Sequence, residues 1–214
     1  NILATVAIRD RGCGAGLDAI AKITDQALLA KIAIEAAVSA LRCAAVERTS
    51  DQVVLTTAAF EDKDPYVRTA AIKKITDQAV LIKLAIEATD GSVAGAAVER
   101  VVDQAVLVQI ANSGRTPYAR NVAIRNITDQ AALAKLALEH ANSNDRFAAV
   151  MRITDQTVLA KIAVEDKAAD VRGRAVRQLS DETPLVTVAI QDDDRFVACN
   201  AVAKIIDLSS LARV

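Results

Sequence analysis

The sequence predicts an all-α fold, a solenoid of about eight stacked two-helix repeats with a 26-residue period, running as a single domain through residues 1–214. Three observations predict it. An Asp recurs at Asp25, Asp51, Asp77, Asp103, Asp129, Asp155, Asp181 and Asp207, each 26 residues after the last, without insertion or deletion. A fixed period of roughly 20 to 50 residues marks stacked-repeat architectures. Within each copy the apolar residues recur at offsets of three and four, the spacing of one helical face, and never alternate at period two as strands do. Gly (7) and Pro (3) are scarce, so long loops and flexible linkers are not expected.

With the recurring Asp as position 1, residues 1–24 form a partial, irregular N-terminal repeat entered at position 3. Leu3, Val6 and Ala7 fit its first helix, and Ala19, Ile20 and Ile23 its second. Between them, Arg11-Gly12-Cys13-Gly14-Ala15-Gly16 lacks the preceding strand and following Lys-Ser/Thr of a phosphate loop, so a flexible inter-helix loop is expected. Seven full repeats fill residues 25–206, and a partial C-terminal repeat covers 207–214. Position 5 is Leu in every copy from Leu29 to Leu211, and position 9 is Ala in every full copy from Ala33 to Ala189. Together with position 8 they line one face of a first helix. Positions 21, 22 and 25, such as Ala71, Ile72 and Ile75, line a second. Each helix spans about 10 residues, or roughly 15 Å. Asp64-Pro65 and Thr116-Pro117 read as an N-cap followed by Pro at the first helical position, opening the second helix. Thr or Ser followed by Asp opens the first. Links of a few residues make successive helices antiparallel.

Composition narrows the function classes. Charge is balanced at −1, which gives no electrostatic reason to expect nucleic acid or an anionic membrane. No apolar run reaches the roughly 18 residues of a membrane span. Cys13, Cys43 and Cys199 are odd in number and lack metal or disulfide spacing, so a reducing, cytoplasmic setting is expected. No cofactor motif and no metal-ligand cluster appears, and His140 stands alone as a surface histidine, so no catalytic residue is assigned.

The stretch Asp64-Pro65-Tyr66-Val67-Arg68-Thr69-Ala70-Ala71-Ile72, and again Val171-Arg172-Gly173-Arg174-Ala175-Val176, resembles the Asp-x-x-Val-Arg-x-x-Ala-Val motif of HEAT-type repeats. The resemblance covers the whole chain, with a shorter unit that is also similar to the leucine-rich-repeat variant. It implies a right-handed solenoid, a scaffolding or partner-binding role, and second helices lining the concave side. It also implies that Arg at position 18 (Arg42, Arg68, Arg120, Arg146, Arg172) bridges to a loop of the adjacent repeat. The Gln at position 2 is typical of neither family.

An active site needs one constellation, and the position 1 Asp recurs eight times. It is read as a helix cap. Position 24 is usually basic (Lys22, Arg48, Lys74, Arg100, Arg152, Lys204), and this row is expected to neutralise the Asp row along one edge. Lys31/Glu35, Lys135/Glu139 and their equivalents read as a solubilising outer face.

Scaffold positions repeat, so binding is sought at positions that do not. On the second helices these hold Tyr66, Thr69, Lys73, Tyr118, Asn121, Arg125, Phe147, Met151, Arg174, Arg177 and Phe196. Aromatic residues and Arg are the usual interface anchors. The expected function is a non-enzymatic scaffold that holds a protein or peptide partner along the concave face. The alternatives are nucleic-acid binding through the basic edge, or a catalytic HEAT-like protein of lyase or glycosylase type. Exposed apolar end faces, Ile2, Leu3 and Val6 at one end and Leu208, Leu211 and Val214 at the other, are expected to be covered by flanking repeats of a longer array or by end-to-end self-association.

Overall fold

A computed structural model describes the backbone of residues 2–12 and 14–211, and the side chains of residues 2–12 and 14–206. Its described residues form helices, with no strand among them. The position 1 Asp shows why each first helix starts where it does. In α3 (Gln26–Glu35), Asp25 has extended backbone and its carboxylate accepts the Ala27 amide at 2.9 Å. The same bond forms from Asp51 in α5 (Gln52–Glu61) and Asp77 in α7 (Gln78–Glu87). Asp103 repeats it in α9 (Gln104–Ser113), Asp129 in α11 (Gln130–Glu139), Asp155 in α13 (Gln156–Glu165) and Asp181 in α15 (Glu182–Gln191). α3, α5, α7, α11, α13 and α15 end at position 12 by turning extended, as at Ala36 (φ −64°, ψ 130°), so no left-handed glycine is needed there.

The second helices are α4 (Ser39–Arg48), α6 (Pro65–Ile72), α8 (Gly91–Val98), α10 (Pro117–Asn126), α12 (Ser143–Val150), α14 (Ala169–Gln178) and α16 (Arg195–Leu211). Asp64, Asp90, Thr116, Asn142 and Asp194 supply side-chain caps at position 14. Val38 and Ala168 do not. α16 runs through Asp207 without a break. The junction there reads Ile206-Asp207-Leu208 and lacks both the hydroxyl before the Asp and the polar side chain after it, at least one of which every other junction has. The side chains of Asp207, Leu208 and Leu211, and all of Val214, lie outside the described residues.

The irregular first repeat is α1 (Ile2–Arg9) and α2 (Gly14–Lys22). The glycine stretch is more ordered than the flexible loop expected from sequence. Gly14 to Gly16 open α2, and the Asp10 carboxylate accepts the Gly12 and Gly16 amides at 2.8 and 2.6 Å. A Cβ at Gly16 would lie 2.7 Å from a methyl of Leu41, so this glycine permits close helix approach. Cys13 lies outside the described residues.

The chain divides into two compact units, Asn1–Val106 with Ser113–Val122, and Leu107–Asn112 with Ala123–Val214. In the first unit each first helix packs on its own second helix, α2, α4, α6 and α8 stack in order, and so do α1, α3, α5 and α7. The second unit repeats this two-layer stacking with α12, α14 and α16 against α11, α13 and α15. The core is the predicted one. Position 5 Leu from Leu29 to Leu185 is at most 1% exposed, and position 21 Ala from Ala45 to Ala201 is 0% exposed. Ala at these sites lets helix axes approach closely, and the branched side chains beside it fill the space.

Candidate functional site

What the recurring polar residues do decides which surface is left for a partner. The Gln at position 2 clasps the start of a first helix to the end of the second helix in the same repeat. Gln52 Oε1 accepts the Thr76 amide at 3.0 Å and its hydroxyl at 3.2 Å, while its Nε2 donates to the Lys74 carbonyl at 3.2 Å. Gln130 makes the same three bonds to Thr154 and Arg152, and Gln156 to Ser180 and Gln178. Gln26 accepts from Ser50, and Gln78 donates to the Arg100 carbonyl.

The position 24 cations answer in the other direction, and the expected pairing with the Asp row is replaced by backbone capping. Arg100 donates to the Lys73 and Ile75 carbonyls at 2.6 and 3.1 Å, Arg48 to the Ile23 carbonyl at 3.0 Å, and Arg152 to the Ile127 carbonyl at 3.3 Å. Lys74 donates to the Val46, Glu47 and Thr49 carbonyls. In each case the cation satisfies the carbonyl end of the preceding second helix, where positive charge is favoured.

Of the position 18 arginines, Arg42, Arg146 and Arg172 bridge to the following repeat as expected, and Arg120 donates to the Gly114 carbonyl of its own repeat. Arg42 grips Asp62 through Nε at 2.6 Å and Nη2 at 2.8 Å, and its Nη1 donates to the Ala36 and Ala37 carbonyls. Arg146 holds Asp166 and Arg172 holds Asp192 in the same two-point geometry, at 2.7 and 2.8 Å. Burial acts to raise the Asp62 and Asp166 carboxyl pKa values, but the Arg and backbone hydrogen bonds outweigh it and hold both below the ordinary range. The Arg172 hydrogen bonds hold Asp192 low against a smaller burial effect. At Arg68 the register partner is Ala88, and the Nε donates to the Ala59 carbonyl instead. Small clefts open over these pairs, including one of about 230 Å³ beside Arg146 and Asp166.

His140 departs from the surface position expected of it. Its side chain is 10% exposed, its Nδ1 accepts the Asn142 amide at 3.2 Å, and the same atom lies 3.6 Å from the buried Asp145 carboxylate. Position 12 faces the junction where Asp sits in other copies, which is why this side chain is covered. No group of three His, Cys, Asp or Glu side chains that could hold a metal ion occurs among the described residues.

The variable positions are mostly open to solvent. In the first unit Tyr66 is 81% and Tyr118 52% exposed, Lys73 is exposed, and Thr69 and Asn121 are half-buried. In the second unit Phe196 is 80% and Met151 51% exposed, Arg125 and Arg177 are exposed, and Phe147 is half-buried. Arg174 is half-buried, and its Nε is buried without a hydrogen-bond partner. Among the predicted residues, Tyr118 has the best-defined surroundings. Its ring lies against α8, so close that a Cβ at Gly95 would fall 2.3 Å from Cε1, and the two helices bound a cavity of about 440 Å³ lined by Gly91, Ser92, Ala96, Glu99 and Tyr118.

Family models, curated proteins and solved structures yield no match to this chain.

Sequence reasoning missed one further surface. Position 10 is apolar in nearly every first helix and partly open: Ile34 is 59%, Ile190 76%, Val164 43% and Leu138 39% exposed. Lys83 lies over the Phe60 ring at 5.4 Å and covers that copy. The signal was present in the recurrence of Ile, Phe, Leu and Val at one position. The Lys-Glu pairs on either side drew attention instead, and of these Lys31 and Glu35 approach to 3.9 Å.

Proposed function

We propose that the protein is a non-enzymatic, HEAT-like scaffold that binds a protein or peptide partner on the solvent face of its second helices. The observation that carries this reading is the division of labour among polar residues. The recurring Asp, Gln, Arg and Lys are engaged in capping helices and joining repeats. The non-recurring Tyr66, Tyr118, Met151 and Phe196 stand in solvent, where burial of large aromatic and thioether side chains by a partner is favourable. The basic edge is less suited to nucleic acid than its sequence implied, because its side chains are turned to backbone carbonyls. Free Cys43 and Cys199 fit a reducing, cytoplasmic setting within this proposal.

A peptide array probed with the purified chain tests it. Saturable binding to a subset of peptides is expected, and it is lost when Tyr66, Tyr118 and Arg125 are changed together to Ala. Undiminished binding by that triple variant overturns the site assignment. Retention on heparin with a steep salt dependence supports the nucleic-acid reading instead.

A further inference from the structure

The cavity beside Tyr118 has a composition that selects for one kind of guest. Its floor on α8 carries little side chain, because Gly91 has none and Ala96 adds only a methyl, while the buried Gly95 beside them seats the Tyr118 ring. The added-Cβ distance of 2.3 Å at Gly95 shows that the ring could not lie there over any other residue. Tyr66 and Phe196 occupy the same register position as Tyr118 and stand 81% and 80% exposed, against 52% for Tyr118. Gly173 does not seat Phe196 in this way, since the nearest side chain to its added Cβ is Val197 at 3.7 Å.

The electrostatics point the same way. Ser92 spends its hydroxyl on Asp90, which leaves Glu99 as the charged side chain in the lining. Glu99 is exposed and has no ion pair among the described residues. It occupies the C-cap of α8, where the helix end is already negative, so its charge raises the local demand for a cation. The neighbouring Arg100 does not meet that demand, since both of its terminal nitrogens donate to the Lys73 and Ile75 carbonyls. An aromatic face, an apolar floor and an unneutralised carboxylate within about 440 Å³ suit a planar cation on an apolar stem.

We propose that this cavity receives an arginine side chain of the partner peptide, with the guanidinium stacked on Tyr118 and paired with Glu99. The inference rests on the peptide-binding reading above, and names the residue that reading leaves open.

The test is a titration of the ¹⁵N-labelled chain with N-acetyl-arginine methylamide, set against the neutral isostere N-acetyl-citrulline methylamide, to millimolar concentration. Saturating amide shifts at Gly91, Ser92, Gly95, Ala96, Glu99 and Tyr118 are expected with arginine, and at least tenfold weaker binding with citrulline. Glu99→Gln, a change at an exposed site, should narrow the difference between the two ligands severalfold, leaving only the preference due to the Tyr118 ring. Gly95→Ala should displace the ring and abolish arginine binding. Equal shifts with both ligands, no shift with arginine, or an unchanged preference in Glu99→Gln overturns the assignment. Array peptides that bind without regard to arginine sink this inference alone. An arginine-selective cavity in a chain that binds no array peptide supports the cavity's preference and sinks the wider reading.

Discussion

Gln52 shows in one side chain how the two ends of a repeat are held together. Its amide accepts from the Thr76 N–H and donates to the Lys74 carbonyl, so two backbone groups that no helix satisfies are paired. Replacing it with Ala removes these bonds and is expected to cost about 1–2 kcal/mol, read from the denaturant midpoint. A change below a few tenths at Gln52, Gln130 and Gln156 alike contradicts the clamp. The Arg-Asp bridges make a stronger prediction. Asp166→Ala leaves Arg146 without its carboxylate in a site where both side chains are about 90% covered. Removing one partner of such a buried pair is expected to cost about 3 kcal/mol. The pH dependence follows from the depressed carboxyls. Their contribution is complete above the unfolded value of 3.8 and is lost as pH falls through the lower folded values. The denaturant midpoint should therefore hold from neutral pH to about pH 5 and drop below about pH 4. The drop should be shallower when Asp62, Asp166 and Asp192 are all changed to Asn, and an unaltered profile in that variant contradicts the assignment.

Helix ends and helix faces were largely legible in the sequence, because both are local. An Asp before an amphipathic run accepts amides two and three residues on, and Leu at position 5 faces inward wherever the run is helical. Leu133→Ala, at a site 0% exposed, is accordingly expected to cost about 3 kcal/mol, whereas the cap variant Asp129→Ala costs about 1 kcal/mol. Similar losses from the two would contradict the element assignment. The junction chemistry was hidden for a physical reason. Gln at position 2 and the cation at position 24 bond to backbone groups, which every residue offers, so no complementary side chain marks the partner. His140 and Asp145 were hidden for another: each stands where the other repeats carry a different residue type, and periodicity is silent about substitutions. The candidate site was legible only as a set of variable positions. That Tyr118 alone of its register lies down on a neighbouring helix depends on Gly95, one repeat away in sequence.

At the scale of the whole molecule, stability in a stack of repeats is approximately a sum of repeat terms and nearest-neighbour interfaces, so the terminal surfaces matter. Ile2 is 82% and Val6 37% exposed at one end, and Val202 is 46% exposed at a register position that is 0% exposed from Val46 to Val176. The proposed end-to-end association predicts a mass that rises with concentration in sedimentation velocity, and a monomer when Ile2 and Val202 are both changed to Glu. A strict monomer of the unaltered chain at high concentration contradicts it. The central claim is that repeated polar residues build the stack and leave the second helices to meet a partner, although the first helices carry their own apolar row. Hydrogen-exchange footprinting of the complex with the tightest array peptide separates these two faces. The account predicts slowed exchange within Pro65–Ile72, Gly91–Val98 and Pro117–Asn126, or within Ser143–Val150 and Ala169–Gln178. Protection confined to the first helices around Ile34, Leu138, Val164 and Ile190 would contradict it.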